Sequence, residues 1–550
     1  MDKETFRKYG YEIVDWIADY FENVRQYPVR STAGPGDVKS QLPLHPPEEG
    51  EDMSAIWKDF NNIILPGMTH WQHPGWFAYF PANNSPASVL GEMLTAGLGA
   101  QCMSWETSPA ATELEEVVMD WLRQMIGLPE GFRGVIQDTA STATLTALLT
   151  AREVATDFNC NEKGLYRHQG NSEIRTSSHN AGNGPGEETE TAHYRHKEIH
   201  DEQQGQSPTQ QDHSLTEHSQ TPIQQIPAQQ DHSLTEHSQS GRPGSGRVLR
   251  VYASSEAHSS IEKGVKIAGY GRENLCYVET DEKYAMDPAR LEQAIVKDLE
   301  SGFKPACVIA TIGTTSSTAV DPLPEIGRIC RKYSLWLHVD AAMAGTAAII
   351  EEKRDMLKGA EFIDSLVFNP HKWMLTNFDC SAYFVRNPDH LIRTMSINPE
   401  YLKTSRDEQV NNYRDWGIQL GRRFRALKLW FVIRHYGVNG LKEMVRNHIS
   451  LAQWFAGCIN DSPGFELMAP VSASLVCFRW NDGRTPEKEL DHINRLLLAK
   501  INETGEIYLT HTTLSGRYTL RLSVGQRTTQ KADVERAWEI IRSSAKEARG

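Results

Sequence analysis

A lysine and an aspartate lie at the ends of two apolar segments that have the composition of buried strands. Lys372, in Asn369-Pro370-His371-Lys372-Trp373, follows the apolar run 365–368, and Asp340 directly follows the run 335–339. In an α/β protein, residues just past the carboxyl ends of parallel strands meet at one edge of the sheet. A lysine there can bind a carbonyl cofactor covalently, and a carboxylate can keep a pyridinium nitrogen protonated. The pair therefore predicts a site for pyridoxal phosphate.

A lysine alone is more often an ordinary surface residue, so the prediction depends on the other groups that this cofactor needs. His258 follows another apolar run, 248–253, and is placed to stack on the cofactor ring. Thr139-Ala140-Ser141 follows a short apolar segment and begins a helical one, where backbone N–H groups bind anions such as phosphate. Taken singly, the histidine could be a core or capping residue and the second segment a plain N-cap. Their joint occurrence favours a cofactor site.

The elements that must position these residues alternate between short β-like runs and helical runs, which predicts an α/β fold with a mostly parallel sheet. We predict an N-terminal helical segment at 1–85, a large domain at 86–395 and a small α+β domain at 396–550. The predicted strands of the large domain are 135–137, 248–253, 276–278, 307–311, 335–339, 365–369 and 381–385. In the small domain, the predicted helices are 422–436, 438–458 and 530–545, and the predicted strands are 474–480 and 518–524.

Residues 160–246 depart from this pattern, because they are rich in Gln, Ser, His, Thr, Glu and Gly and poor in large apolar residues. The segment 210–220 recurs unchanged at 229–239. A segment that cannot bury an apolar face stays disordered, so we predict a low-complexity insertion in a surface loop. Its histidines do not predict a metal site, because no predicted rigid element fixes any pair of them.

Composition excludes several classes of protein. The chain has 550 residues and a formal net charge of −14, which argues against nucleic acid as a partner. No apolar run is long enough to cross a membrane, and the charged N-terminus lacks the pattern of a signal peptide. The eight cysteines are scattered without a C-x-x-C pair, which favours reduced thiols over disulfides or a zinc site. We therefore expect a cytoplasmic protein that takes a small-molecule substrate.

Over nearly the whole chain outside the insertion, the sequence resembles the group II pyridoxal-phosphate-dependent decarboxylases of the aromatic-L-amino-acid decarboxylase family. The matching motifs include Thr69-His70-Trp71, Phe77-Ala78-Tyr79-Phe80-Pro81, Thr112-Glu113-Leu114-Glu115, Ala257-His258-Ser259-Ser260, His338-Val339-Asp340-Ala341-Ala342, Asn369-Pro370-His371-Lys372-Trp373 and Leu420-Gly421-Arg422-Arg423-Phe424-Arg425. The resemblance implies fold type I of the pyridoxal-phosphate-dependent transferases. It also implies a homodimer with sites at the interface, in which the N-terminal helical segment wraps the partner.

The resemblance also implies a role for each matching residue. Lys372 would hold the cofactor, Asp340 would pair with its ring nitrogen, and His258 would stack on its ring. The residues expected to bind or flank the rest of the cofactor are Ala140, Ser141, Thr315, Asn369 and His371. The residues expected on the substrate side are Trp71, Tyr79, Phe80, Pro81, Met103 and Gly421.

Tyr401 bears on the reaction that follows. It begins a polar stretch, and the resemblance implies a loop that closes over the site and a tyrosine that protonates the α-carbon after CO₂ leaves. Relatives that make aromatic aldehydes with oxygen carry phenylalanine at this position, and others replace the ring-stacking histidine. Tyr401 and His258 together therefore favour simple decarboxylation. An aromatic acetaldehyde synthase and a non-catalytic binding protein of the same fold are the alternatives.

Several positions depart from the pattern of the animal enzymes. Asp138-Thr139 stands where a glycine–serine pair is usual, Gln101 and Met103 replace an isoleucine and a phenylalanine, and Met343 replaces a tyrosine. In related plant enzymes, glycine at the position of Gly421 goes with indole substrates and serine with phenolic ones. We therefore favour tryptophan, with phenylalanine, tyrosine and DOPA as alternatives. Differences of pocket shape on this scale are worth about 1–3 kcal/mol, so overlapping specificity is expected.

Overall fold

The computed structural model describes residues 1–164, 247–397, 406 and 409–548. Tyr401 and residues 165–246 of the predicted insertion lie outside the described residues. The chain remains helical at Cys160–Lys163, where Cys160 is buried. The folded part of the chain therefore continues a few residues into the segment whose composition predicts disorder.

Seven strands form the larger sheet. They are β1 (Arg133–Gln137), β2 (Leu249–Ser254), β3 (Leu275–Val278), β4 (Lys304–Thr311), β5 (Trp336–Asp340), β6 (Ser365–Phe368) and β7 (Ser381–Val385). Their order is β1-β7-β6-β5-β4-β2-β3, and the neighbours from β6 to β3 pair in parallel. β7 is antiparallel to both of its neighbours, so β1 runs in the same direction as β6. This mostly parallel sheet confirms the predicted fold class, and each of its strands overlaps a predicted one.

The direction of the strands decides where a site can form. Since only β7 runs the other way, the carboxyl ends of the other six strands lie at one edge of the sheet, which we call the carboxyl edge. The central strands are apolar on both faces, as in sheets covered by helices on both sides. Val308 and Leu337 are fully buried in the core on one face, whereas Ile309 and Val367, at alternate positions, are fully buried on the other. The loops after the strands at this edge therefore rest on a rigid support.

Helices flank the sheet and form the two ends of the chain. Within the described residues they are α1 (Lys3–Asn23), α2 (Met53–Asp59), α3 (Pro86–Leu98), α4 (Pro109–Ile126), α5 (Ala140–Ala155), α6 (Cys160–Lys163), α7 (Ser259–Ile267), α8 (Pro288–Glu300), α9 (Leu323–Tyr333), α10 (Pro370–Trp373), α11 (Pro388–Met395), α12 (Arg425–Asn460), α13 (Glu487–Glu503) and α14 (Lys531–Glu547). α12 is interrupted at Gly437, whose φ of 64° suits glycine. The break falls between the two helices that the sequence predicts there. No described helix is long and apolar enough to span a membrane.

A second sheet follows α12. Its strands are β8 (Phe465–Leu467), β9 (Leu475–Trp480), β10 (Thr510–Leu514) and β11 (Arg517–Ser523), in the antiparallel order β10-β11-β9-β8. β9 and β11 are predicted from the sequence, whereas β8 and β10 are not. This sheet has a core of its own, in which Phe455 of α12 contacts Phe478 and Trp538. The domain boundaries stated above stay a prediction.

The helices α1 and α3 each expose several apolar side chains. On α3, Leu90, Leu94 and Leu98 recur at a spacing of four residues, so they lie on one face of the helix, and Leu98 is 65% exposed. On α1, Phe6 is 70% exposed, and Tyr11 is exposed as well. Contiguous exposed apolar surface on a folded chain marks a place where another molecule binds.

Candidate active site

The carboxyl edge brings together four of the residues that the sequence analysis selects. Asp340 is the last residue of β5, where it pairs with Thr311 of β4 and Val367 of β6. Lys372 lies in α10, just past β6, and His258 follows β2. Thr315 follows β4 in the same way. Strand direction alone thus accounts for their common location.

Lys372 is largely buried, and burial lowers the pKa of its ammonium group, while the charge of Asp340 opposes that shift. Its Nζ lies 5.5 Å from the centre of the Phe80 ring. A lower pKa increases the fraction of neutral amine at a given pH, and the neutral amine is the nucleophile. The environment of Lys372 therefore suits covalent capture of a carbonyl group.

Asp340 is buried, and its Oδ1 accepts a hydrogen bond of 3.0 Å from the backbone N–H of Ala342. Its negative charge acts on both Lys372 and His258. The three side chains therefore share one electrostatic environment. A carboxylate held in this way can keep a ring nitrogen protonated.

His258 is the N-cap of α7, so the capping role that a lone histidine could have is present here. Its Nδ1 accepts from the backbone N–H of Ser260 at 3.1 Å and lies 2.7 Å from the Ser260 Oγ. Because Nδ1 is an acceptor, the neutral ring carries its proton on Nε2. Desolvation lowers the pKa of the imidazole, Asp340 opposes this, and Lys372 adds to it. The cap fixes a neutral, solvent-accessible ring beside the other two side chains.

The first turn of α5 lies after β1 at the same edge. Thr139 is its N-cap, and the Thr139 hydroxyl accepts from the backbone N–H of Thr142 at 3.4 Å. The N–H groups of Ala140 and Ser141 begin the helix and therefore have no acceptor within it. The carboxylate of Asp138, which departs from the family pattern, accepts from the backbone N–H of Thr139 at 2.6 Å. A helix start of this kind is suited to binding a phosphate group.

Asn369 and His371 are both buried next to Lys372. The Oδ1 of Asn369 accepts from the Ser381 hydroxyl at 2.8 Å. The Nδ1 of His371 accepts from the backbone N–H of Cys380 at 2.9 Å, and burial lowers the pKa of this histidine to about 3. His371 is therefore neutral, and only its Nε2 is left to bind a phosphate.

The residues expected on the substrate side fall into two groups. In the first group, Trp71 stacks on Tyr79 with a centroid distance of 5.9 Å. Phe80 lies between Lys372 and the guanidinium of Arg521, which is 5.3 Å from its ring centre. Pro81 is buried next to Phe80. Of this group, Phe80 lies against Lys372.

The second group contains Met103 and Gly421, together with Gln101. Gln101 Oε1 accepts from the backbone N–H of Arg422 at 2.8 Å, and its Nε2 lies 3.1 Å from where a Cβ on Gly421 would be. The carbonyl of Met103 accepts from the backbone N–H of Arg414 at 2.8 Å. These contacts tie Gln101 to the segment at Gly421 and Arg422 and tie Met103 to Arg414, and none of them involves Lys372. Met343 is buried in the core of the large sheet.

Arg521 is a further residue of the site that the sequence patterns do not predict. It is buried in β11, and its guanidinium donates to the carbonyls of Thr315 and Ser316 at 2.7 Å and 3.2 Å and to the Thr510 hydroxyl at 3.2 Å. In the sequence, the feature that sets Arg521 apart is its charge at an inward position of an otherwise apolar predicted strand. Arg521 holds the loop after β4 and the Phe80 ring in place.

The chemistry of these groups fits pyridoxal phosphate. A largely buried amine, a carboxylate, an accessible flat imidazole and a helix N-terminus meet at one edge of the sheet. They match the aldehyde, ring nitrogen, ring face and phosphate of that cofactor in turn. On a mostly parallel seven-stranded sheet, they define an enzyme of fold type I that depends on pyridoxal phosphate.

Comparison with known proteins identifies the family. Residues 35–170 and 230–481 match the family model described as the pyridoxal-dependent decarboxylase conserved domain. The chain belongs to this family and is a pyridoxal-phosphate-dependent decarboxylase.

Three similar proteins illustrate its relatives. The chain is 39% identical to phenylacetaldehyde synthase from Arabidopsis thaliana, over 99% of this chain and 96% of the relative. It is 38% identical to tyrosine decarboxylase 3 from Petroselinum crispum, over 99% of this chain and 92% of the relative. The crystal structure of Oryza sativa TDC with PLP and tryptamine superposes with a TM-score of 0.82 at 32% identity, covering 100% of this chain and 99% of that one. Relatives of comparable similarity thus differ in reaction and substrate.

Proposed function

We propose that the protein decarboxylates an aromatic L-amino acid, preferably tryptophan, to the arylalkylamine and CO₂. The observation that carries the proposal is that Lys372, Asp340 and His258 converge at the carboxyl edge, with Phe80 in contact with Lys372. Aromatic substrates are supported by the relatives, which include a tyrosine decarboxylase and a structure with bound tryptamine.

When bound, pyridoxal phosphate supplies the electron sink that stabilises the carbanion left by loss of CO₂. Lys372 would supply the amine that anchors the cofactor and takes it back as the product departs. Asp340 would keep the ring nitrogen protonated, and His258 would lie against the ring. The backbone N–H groups of Ala140 and Ser141 would bind the phosphate.

The remaining steps concern the substrate. The stacked rings of Trp71 and Tyr79 offer aromatic surface to an aromatic side chain, and the Phe80 ring lies beside Lys372. Tyr401 lies outside the described residues, and its role rests on the resemblance. In the family that the chain resembles, the tyrosine at this position donates a proton to the α-carbon, while its loop excludes water and oxygen.

The second candidate function is that of an aromatic acetaldehyde synthase, because the Arabidopsis thaliana relative carries that activity in its name. The sequence favours the decarboxylase, since it keeps both Tyr401 and His258. The two reactions also differ in their balance. Decarboxylation releases CO₂ and an amine, whereas the synthase reaction consumes oxygen and water and releases peroxide and ammonia along with CO₂ and the aldehyde.

A product screen tests the proposal. The purified enzyme is given tryptophan, 5-hydroxytryptophan, phenylalanine, tyrosine and DOPA, and amine, CO₂, aldehyde and peroxide are measured. We expect one amine per CO₂ without peroxide, and the highest kcat/KM with tryptophan, because glycine at the position of Gly421 goes with indole substrates in related plant enzymes. Aldehyde and peroxide in equal amounts would identify the synthase instead, and a failure to convert any of the five would refute an aromatic substrate.

We also propose that the protein is a cytoplasmic homodimer in which a second copy covers the exposed faces of α1 and α3. The leucine stripe on α3 supports this, because its apolar surface is solvent-exposed in the single chain. The eight cysteines supply free thiols and no disulfide, which suits a reducing compartment.

Leu94→Glu tests the dimer. Leu94 is 51% exposed, so we expect the variant to fold but to place a charge in the apolar interface. Light scattering after size-exclusion chromatography should give the mass of a monomer at concentrations where the native protein is a dimer. Leu496→Glu is the control, since Leu496 lies on α13 and is exposed to a similar degree, 40%. Equal masses for both variants and the native protein would argue against this interface.

A further inference from the structure

The helix that carries Lys372 is too short to satisfy its own backbone. α10 spans only Pro370–Trp373. The last four carbonyl groups of any helix lack partners within the helix, and here nearly all of the helix consists of such residues. Leu375, just beyond it, has a φ of 54°, which a leucine rarely adopts. The position of Lys372 must therefore be fixed by groups from elsewhere in the chain.

Asn83 supplies most of these bonds. Its backbone N–H donates to the carbonyl of His371 at 3.0 Å. Its side-chain Nδ2 donates to the carbonyl of Lys372 itself at 2.6 Å. The Ser85 hydroxyl adds a bond of 2.8 Å to the carbonyl of Leu375. Residues 83–85 thus act as an external cap for the turn 369–375, which we call the lysine turn.

The same amide also reaches the second sheet. Nδ2 of Asn83 donates to the carbonyl of Gly525, just past β11, at 2.8 Å. A Cβ on Gly525 would lie 2.5 Å from Pro81 Cγ, so the backbone there packs directly on the segment that carries Phe80. Asn83 therefore connects three parts of the site: the lysine turn, the aromatic segment 77–81 and the chain after β11.

The network fixes the orientation of this amide. Two carbonyl oxygens face Nδ2, and carbonyls only accept hydrogen bonds, so the NH₂ group must point towards them. Asn83 is only 1% exposed, so the carbonyls it serves cannot exchange it for bulk water. Among the described residues its Oδ1 has no hydrogen-bond partner. The side chain thus acts through the two N–H donors of its amide. An aspartate of the same shape would place a carboxylate oxygen opposite the two carbonyl oxygens, so repulsion would replace both hydrogen bonds.

We propose that Asn83 is a positioning residue for the reaction, which sets the location of the Lys372 amine through the lysine turn. The inference rests on the proposed role of Lys372 as cofactor anchor. Lys372 Nζ lies 5.5 Å from the centre of the Phe80 ring, and the Asn83 amide ties the segment of Phe80 to the lysine turn. Loss of the amide donors lets the lysine turn move against that segment, and with it the amine against the carbonyl that it must attack.

The test compares Asn83→Asp with Gln72→Ala. Gln72 holds the same loop, since its Nε2 donates to the carbonyl of Ala82 at 2.6 Å and its Oε1 accepts from the N–H of Asn84 at 3.3 Å, but neither bond involves the lysine turn. Both holoenzymes are measured for kcat and KM, for cofactor affinity, and for the pH midpoint of the visible absorbance of the bound cofactor. The pH-dependent rate at which the apoenzyme lysine reacts with an amine-specific reagent gives a readout without cofactor.

We expect Asn83→Asp to lower kcat by roughly ten- to a hundredfold, the loss that a displacement of about 1 Å produces, with a much smaller change in KM. The pH midpoint of the cofactor absorbance and the titration of the apoenzyme lysine should both shift, whereas Gln72→Ala should leave both unchanged. Should the aspartate variant fail to fold, Asn83→Ser, which keeps one donor, is expected to show a smaller shift in the same direction.

Native values of kcat and of both titrations in a folded aspartate or serine variant would overturn the proposal. So would equal shifts in Gln72→Ala, because they would indicate a general effect on the loop. The variant Lys372→Ala shows whether the positioning role of Asn83 or the assignment of Lys372 as cofactor anchor is wrong. If Lys372→Ala still shows the pH-dependent cofactor absorbance, the assignment of Lys372 is wrong, and if only the Asn83 variants behave as native, the positioning role alone is wrong.

Discussion

Lys372→Ala is expected to abolish the pH-dependent visible absorbance of the bound cofactor and to lower kcat/KM by roughly 10⁴-fold or more, as loss of a covalent catalytic group does. In the proposed function the amine anchors the cofactor and displaces the product, and burial lowers its pKa. The measurements are the absorbance spectrum after gel filtration and the rate of amine formation. Added primary amines should restore part of the turnover, because they can carry out the displacement from solution.

The matched control is Lys353→Ala. Lys353 is also partly buried, burial also lowers its pKa, and its Nζ donates to the carbonyl of Ser472 at 2.7 Å. A variant at this position removes a comparable lysine without touching the carboxyl edge. Native spectra and rates in Lys353→Ala combined with losses in Lys372→Ala assign the effect to the site. Retention of both properties in Lys372→Ala would contradict the assignment.

The larger sheet could be predicted because its strands carry their own signal. β4, β5 and β6 are continuous apolar runs, and such runs are buried on both faces whatever lies beside them. β10 could not be predicted in the same way. Its sequence, Thr-His-Thr-Thr-Leu, has little apolar alternation, and it forms a strand because β11 offers it a partner. Its structure thus depends on pairing, which local sequence does not show.

The residues of the site also differ in whether the local sequence predicts them. Lys372, Asp340 and His258 could be selected from the sequence because each follows an apolar strand, and strand ends in a parallel sheet share an edge. Asn83 and Arg521 act through contacts with residues hundreds of positions away. Such contacts depend on how the second sheet packs against the aromatic segment. No local pattern of residue types records that packing.

Asp340→Asn is expected to lower kcat by roughly 10²- to 10³-fold, which is typical for the loss of one group that stabilises charge in a transition state. Asparagine has the same shape, and its amide oxygen can still accept from the N–H of Ala342. It carries no negative charge, so it cannot keep the ring nitrogen protonated. The amine assay measures the loss, and a lower affinity for the cofactor should accompany it.

Asp340→Asn should also change the pKa values of the neighbouring side chains. The Asp340 charge raises the pKa of both Lys372 and His258, so its removal should lower both. The pH midpoint of the apoenzyme lysine reaction should therefore move to lower pH in Asp340→Asn. Asp364→Asn is the matched control, because Asp364 lies at the opposite end of the same sheet, where it accepts from the backbone N–H of Leu337 at 2.8 Å. A kcat loss in both variants without a shift in the lysine midpoint would mean that Asp340 supports the fold rather than the chemistry.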